Sequence, residues 1–132
     1  MDIYDGETEP VIYHGKTWTT KVPLRDICQA IARYAFVASP YPIIISAEVH
    51  CSLPQQSLIA SVMCDVFGDA LIRAPVEGRP KIEVLPSPED LKGKVLLKVS
   101  FDDMRYMYRG IEKKFLADKE PVRLSAGRDP RE

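Results

Sequence analysis

The sequence has few of the features that mark secreted, membrane-spanning or metal-stapled proteins. It has only three cysteines, Cys28, Cys51 and Cys64, and their spacing matches no zinc motif and no disulfide framework. We therefore expect buried free thiols in a reducing compartment. No apolar run approaches the roughly 18 residues that a transmembrane helix needs. The first six residues have neither a basic nor an apolar stretch, so no signal peptide is predicted.

Charge of one sign is also not in excess. The chain has 18 basic and 19 acidic residues, which gives a net charge of −1. Without an overall basic field, neither nucleic acid nor a membrane surface is an expected partner on charge alone. The length and composition are ordinary for a folded domain: 132 residues with 45% hydrophobic content are enough for about one domain with its own core.

Apolar and polar segments alternate in the way that strands and helices alternate in a parallel β/α fold. Continuous apolar or β-branched runs predict strands, and apolar residues at helical spacing predict helices. The predicted order is strand 11–13, helix 24–36, strand 43–48, helix 53–67 and strand 95–99. This alternation predicts the α/β class, with the strand at 43–48 buried on both faces and helices covering a parallel sheet. A closed eight-stranded barrel needs about 250 residues, so we expect only part of one.

The two predicted helices have readable ends and faces. Pro23 suits a helix first turn, and the first helix is expected to bury Ile27, Ile31 and Tyr34. Ser52 with Gln55 resembles a capping box, and Gly68 is a natural stop for the second helix. The second helix is expected to bury Leu58, Ile59, Val62, Met63 and Val66.

The remaining segments are predicted from composition. Residues 74–88 contain four prolines and are expected to be a loop, followed by one helical turn at 89–91. Residues 100–115 have one apolar face and favour a short helix. From residue 118 onward the composition is typical of a disordered tail.

Four polar side chains lie at or near strand ends: Asp2 lies on or just after a truncated strand, and the other three, at the ends of the strands predicted above, are His14, Glu48 and Lys98. The carboxyl ends of parallel strands form one rim in a β/α barrel. Two carboxylates suit a hard cation such as Ca²⁺, an imidazole suits acid–base chemistry near neutral pH, and a lysine suits phosphate. From the residues alone, the rim is a candidate cation and phosphate site.

Each of these residues also has a non-functional interpretation. A histidine after a strand often makes only structural hydrogen bonds, Asp2 suits a turn, and Lys98 suits a solvated surface. Glu48 is harder to explain this way, because it follows a run of isoleucines and a buried carboxylate needs a partner.

A longer ordered pattern resembles the X region of eukaryotic phosphoinositide-specific phospholipase C. The matching segments are DIYDG at 2–6, EPVIYHG at 9–15, TWTTK at 17–21, SPYPIIIS at 39–46, EVHCS at 48–52 and LPSPEDLKGKVLLK at 85–98. The resemblance covers about residues 1–99, which we interpret as a partial X domain. Residues 100–132 would be the start of the linker between the X and Y regions.

The resemblance implies a partial, half TIM-type β/α barrel with parallel strands, completed by a Y half. It implies calcium-dependent cleavage of phosphatidylinositol phosphates, in which the inositol 2-hydroxyl attacks phosphorus, diacylglycerol leaves, and water opens the cyclic phosphate. The expected partners are a phosphoinositide headgroup, a membrane surface through the complete enzyme, and the missing Y half. No nucleic acid is expected. The expected location is cytoplasmic, peripheral at membranes when the enzyme is complete.

By motif position, the resemblance implies a role for each of the four strand-end residues. Asp2 and Glu48 match two calcium ligands, His14 matches the general acid toward the departing glycerol oxygen, and Lys98 matches a lysine that contacts ring phosphates. His50 matches a motif position with a structural role.

The pattern also departs from the family at several positions. Ser100 stands where a second lysine is expected, and Val49 stands where an asparagine is usual. The first histidine, a calcium-binding asparagine and an acidic residue would lie before Met1.

Three hypotheses follow from the matches and departures. The chain is expected to be a fragment of such a lipase that is inactive alone. The alternative is a short protein that binds a phosphoinositide or a partner without catalysis. A metal-independent bacterial-type phosphodiesterase is disfavoured by Glu48 at a calcium-ligand position.

Overall fold

The computed structural model describes residues 1–73 and 86–99. Along these residues lie five strands, two α-helices and a short 3-10 turn: β1 Asp2–Tyr4, β2 Val11–Ile12, β3 Val22–Pro23, α1 Leu24–Tyr34, β4 Ile43–His50, α2 Leu53–Phe67, the turn Gly68–Ala70, and β5 Val95–Val99. Most of the predicted loop at 74–88 lies outside the described residues. The predicted helix at 100–115 and the predicted tail from 118 lie outside them too.

The strands form one mixed sheet in the order β3-β2-β1-β4-β5. β1 and β5 both pair with β4 in parallel, as predicted for a β/α fold. β2 and β3 run antiparallel to their neighbours, which differs from the parallel arrangement expected of the strand at 11–13. The reason is length: only six residues separate β1 from β2, whereas a parallel crossover needs a dozen or more.

The core lies on one face of the sheet. Along β4, Ile45, Ala47 and Val49 are buried, while the residues between them are exposed. Ile44 is 67% exposed, so the prediction that β4 is buried on both faces is wrong for this chain. We call the exposed side of β1, β4 and β5 the open face.

Helices α1 and α2 pack against each other and form the other wall of the core. α1 buries Leu24 and Cys28, whereas Tyr34, the last helical residue, is 61% exposed, contrary to prediction. On α2, Ile59, Val62 and Met63 are buried as predicted. Leu58 is 41% exposed, contrary to prediction, because α2 turns a wider apolar stripe toward the core through Ala60, Cys64 and Phe67.

The ends of α2 confirm one prediction and overturn another. Gly68 caps the carboxyl end with a φ of 50°, a conformation that favours glycine. Ser52 occupies the N-cap position, but its side chain makes no capping hydrogen bond. The predicted capping box is therefore wrong, since Ser52 and Gln55 bond to the loop after β1 instead.

The three cysteines are free thiols, as predicted, and Cys28 and Cys64 are buried. Among residues 1–73 and 86–99, no helix is both long and apolar enough to cross a membrane. Three parallel strands with both helices packed on one side are the arrangement expected of part of a β/α barrel.

Candidate functional site

Asp2 and Glu48 lie directly opposite each other on neighbouring parallel strands. β1 and β4 pair with Asp2 beside Glu48, followed by Ile3 beside Val49. Because Ile3 and Val49 are buried and side chains alternate along a strand, both carboxylates point to the open face. Adjacent strands are about 5 Å apart, so the two carboxylates share one local environment.

Lys98 joins them on the same face. It pairs with Ser46 on β4, two residues before Glu48, and its side chain is exposed. Two residues along a strand and one strand across correspond to about 8 Å between Cα atoms, well within reach of a lysine side chain. The open face therefore presents two carboxylates and one ammonium group near the carboxyl ends of three parallel strands.

His14 reaches this region by a different route. It follows β2, and since β2 is antiparallel to β1, the chain beyond Ile12 runs back toward the level of Asp2. Among the described residues, its hydrogen bonds involve the backbone: the His14 N–H donates to Thr19 Oγ1 at 3.3 Å, and its carbonyl accepts from Thr17. The side chain is exposed. Since β2 is antiparallel to both of its neighbours, His14 does not emerge from a parallel strand as predicted.

The loop of His14 contacts the open face through Tyr4. A methyl group at Gly15 would clash with the Tyr4 hydroxyl, so glycine allows the loop to approach this ring closely. Tyr4 lies two residues after Asp2 on β1 and beside His50 on β4. The structure thus brings the His14 loop to the edge of the face that holds the carboxylates.

Three rings form a stack beside the carboxylates. The Tyr4 ring lies 4.4 Å from that of Tyr13 and 4.7 Å from that of His50. His50 Nε2 in turn lies 3.8 Å from Glu48 Oε2. Loss of hydration raises the pKa of the Tyr4 hydroxyl, and the carboxylates of Asp2 and Glu48 raise it further. Both carboxylates therefore act electrostatically on one phenol.

The resemblance implies only a structural role for His50. In the structure, its ring stacks on Tyr4 and its Nε2 lies beside the Glu48 carboxylate. Its position beside Glu48 follows from strand geometry, because residues two apart on a strand share a face. The spacing in the sequence therefore predicts that His50 lies beside Glu48. The stacking of His50 on Tyr4 cannot be predicted from the sequence.

A second group of contacts, which the sequence does not reveal, holds the loop after β1 against α2. Asp5 Oδ1 accepts hydrogen bonds from the Ser52 N–H at 2.9 Å and from Ser52 Oγ at 3.2 Å. The Gln55 side-chain amide donates to the Gly6 carbonyl at 2.7 Å and accepts from the Gly6 N–H at 3.2 Å. We call these four bonds the loop clamp.

The donor set suits a hard cation but does not complete its coordination shell. Carboxylate oxygens are the ligands that Ca²⁺ prefers, and it takes six to eight of them. Among residues 1–73 and 86–99, no group of three or more His, Cys, Asp and Glu side chains could hold a metal ion. The carboxylates of Asp2 and Glu48 have the chemistry of calcium ligands, but on their own they would fill only part of its shell.

Comparison with known proteins identifies the family of this chain. The family model described as phosphatidylinositol-specific phospholipase C, X domain, matches residues 1–101. The chain is 50% identical over 99 residues to 1-phosphatidylinositol 4,5-bisphosphate phosphodiesterase delta-1 of Rattus norvegicus and 46% identical to the delta-4 protein of Bos taurus. Each alignment covers 74% of this chain but only 13% and 12% of the relatives, respectively.

Solved structures give the same result. The crystal structure of PLC21 from L. pealei superposes with a TM-score of 0.65 at 40% identity, and that of PLC21 from S. officinalis with 0.66 at 40%. Each match covers 89% of this chain and 15% of the solved one. The partial-barrel prediction is thereby confirmed. With two thirds or more of its residues matched in sequence and in fold, the chain belongs to the phosphatidylinositol-specific phospholipase C family and carries X-domain sequence.

Proposed function

We propose that this chain contributes one wall of the active site of a calcium-dependent phosphoinositide phospholipase C. The observation that carries the proposal is the pairing of Asp2 with Glu48 on the open face, with Lys98 one strand further along. The relatives named above are phosphodiesterases of 1-phosphatidylinositol 4,5-bisphosphate, which is an anionic lipid. Two carboxylates and a lysine on one face suit such a substrate, because the lysine attracts phosphate while the carboxylates hold a cation that offsets its charge.

Asp2 and Glu48 would hold the calcium ion through their carboxylate oxygens. When bound, calcium supplies a positive charge that lowers the pKa of the inositol 2-hydroxyl and stabilises negative charge on the phosphoryl oxygens. The role of the two residues is positional: they stand at a fixed spacing on parallel strands and need little rearrangement as charge develops.

His14 is the proposed general acid. Its loop lies over Tyr4 at the edge of the open face, and its exposed side chain can donate a proton to the glycerol oxygen as diacylglycerol departs. An imidazole suits this step because it can hold and release a proton near neutral pH.

Lys98 is proposed to contact a phosphate on the inositol ring. It stands on β5, next to the strand that carries Glu48, and an ammonium group binds phosphate as a point charge. Its role is to orient the headgroup, so its loss should raise KM more than it lowers kcat.

The chain alone is proposed to be inactive, since it spans 12–15% of its relatives and the proposal assigns only two calcium ligands to its described residues. The other half of a barrel would cover the open face, where Ile44 is exposed. Contact with a membrane, at the cytoplasmic side, is proposed through the loop after β2. Trp18 on that loop is fully exposed between Lys16 and Lys21, a combination suited to an anionic lipid interface.

A chimera tests this function. Residues 1–99 would replace the matching 99 residues of the rat delta-1 relative, and hydrolysis of phosphatidylinositol 4,5-bisphosphate would be followed against calcium concentration. We expect calcium-dependent turnover, and Glu48→Gln should raise the calcium midpoint by about tenfold or more, since even outer-shell changes cost 10–100-fold.

Glu7→Gln is the matched control, because Glu7 is exposed and lies in the loop after β1 rather than on the open face. It should leave the calcium midpoint unchanged. A calcium midpoint that is the same in the Glu48→Gln chimera as in the unsubstituted chimera would contradict the proposed ligand role.

A further inference from the structure

The loop clamp lies where the two strands that carry the carboxylates come to an end. The last register pair between β1 and β4 is Tyr4 with His50. The clamp joins the two residues that follow β1 to the N-cap and first turn of α2, which begins shortly after β4. Its four hydrogen bonds connect residues 47 to 49 positions apart in sequence. It is therefore a tertiary link rather than a local turn.

The clamp bonds are well matched chemically. The Gln55 amide presents one donor and one acceptor, and the Gly6 peptide presents the complementary acceptor and donor. Asp5 accepts two bonds through one ionised oxygen, and bonds to a charged acceptor are among the stronger kinds. A methyl group at Gly6 would clash with the Glu9 carbonyl, so glycine is needed where this loop turns toward β2.

Strand β1 is short, so the burial of Ile3 and a few ladder bonds are all that it contributes to its own position along β4. It has three residues, and the pairing that sets Asp2 beside Glu48 includes the Glu48 N–H donating to the Met1 carbonyl at 2.9 Å. A slip of one residue would turn Asp2 to the buried face, and a slip of two would move it about 7 Å from Glu48. The same loop also begins the hairpin that leads to His14.

We infer that Gln55 and Ser52 are positioning residues that set the spacing of the proposed cation ligands Asp2 and Glu48, by locking the register of β1 on β4. The inference rests on the proposed function for the identity of the site, but the register lock can be measured without calcium. Neither residue touches the cation or the substrate in this account.

The test uses the isotope-labelled 132-residue chain and two measurements by NMR. The first is amide hydrogen exchange of Glu48, whose N–H bonds to Met1 across the strand pair. The second is titration with Ca²⁺, followed by the amide shifts of Glu48 and Val49. Gln55→Leu removes both clamp bonds of that side chain, and Ser52→Ala is a milder variant that keeps the backbone bond to Asp5.

Gln29→Leu is the matched control, because Gln29 is exposed on α1 and lies outside the clamp. Gln55→Leu should speed exchange at Glu48 about tenfold while amides in the middle of α2 keep their protection, and should weaken Ca²⁺ binding about tenfold, the lower end for outer-shell changes. Ser52→Ala should change the exchange rate at Glu48 and the Ca²⁺ affinity in the same directions but by less. Gln29→Leu should change neither quantity.

Two results would overturn the inference: unchanged exchange at Glu48 in Gln55→Leu, or an equal acceleration at α2 amides, which would make Gln55 a general stabiliser only. Unchanged Ca²⁺ affinity despite faster exchange at Glu48 would also overturn it. If the wild-type chain shows no response to Ca²⁺, the proposed ligand role fails, while exchange at Glu48 still decides whether the clamp locks the strand register.

Discussion

At the scale of single residues, the site depends on a few side chains whose neighbours come from distant parts of the sequence. Glu48 has His50 at 3.8 Å, and His50 is stacked on Tyr4. That Glu48 and His50 share a face of one strand can be predicted from their spacing in the sequence. The sequence also places Asp2 on the same rim, but it does not give the register that sets Asp2 directly opposite Glu48. That register also depends on contacts between distant residues, such as those of the loop clamp.

Cys51 gives a test of the local environment of the clamp by pH. Burial raises the pKa of its thiol to about 12, and the adjacent Asp5 carboxylate contributes to that rise. A raised folded-state pKa means that the unfolded chain loses the proton first, near pH 9, so the stability present below pH 9 is lost as pH rises toward 12.

We therefore expect the free energy of unfolding, measured with urea, to fall between about pH 9 and 11 and to fall less in Cys51→Ser. Cys28 has its own pKa raised to about 11 by burial, so some of the slope should remain in that variant. An identical slope in wild type and Cys51→Ser would contradict the described setting of Cys51.

At the scale of elements, sequence periodicity locates the helices and the main strands but not which face each one buries. Helix α2 is predicted over the right residues, and its stop at Gly68 is confirmed because glycine suits a positive φ. The capping box predicted at its start is wrong, since Ser52 and Gln55 bond to Asp5 and Gly6, which no local pattern encodes.

The packing of α2 predicts that truncating two of its apolar side chains changes the free energy of unfolding by very different amounts. Met63 is fully buried and contacts Cys28 of α1, whereas Leu58 is 41% exposed. Met63→Ala should lower the free energy of unfolding by about 2–5 kcal/mol through a cavity. Leu58→Ala should cost less than about 1 kcal/mol, in line with surface positions. Urea denaturation of both variants measures the contrast, and equal losses would mean that α2 is rotated from the orientation described here.

At the scale of the whole molecule, the described residues form a β/α layer with one covered and one open face. The fold class is predictable because strands and helices alternate along the chain, and the family pattern is long and ordered. The antiparallel hairpin β2–β3 is not predicted, although the short connection before β2 is visible in the sequence. Ile44 is exposed because the helices cover only the opposite face of the sheet. A run of isoleucines does not indicate which face of its strand is covered.

The open face also predicts how the chain behaves alone. Only two carboxylates among the described residues are proposed as calcium ligands, so the isolated chain should bind Ca²⁺ weakly. Its open face, where Ile44 is exposed, has no covering half, so the isolated chain should show no lipid hydrolysis. Calorimetry with Ca²⁺ and a hydrolysis assay check both, with the chimera described above as the active comparison. Tight calcium binding by the 132-residue chain would contradict this expectation.

The most direct test of the central claim is a calcium-bound crystal structure of the chimera that contains residues 1–99. The account predicts one ion with carboxylate oxygens of both Asp2 and Glu48 at about 2.3–2.6 Å, and with Lys98 on the same face of the sheet. An ion that lacks one or both of these carboxylates as ligands would contradict the account. So would side chains of Asp2 and Glu48 that lie on opposite faces of the sheet.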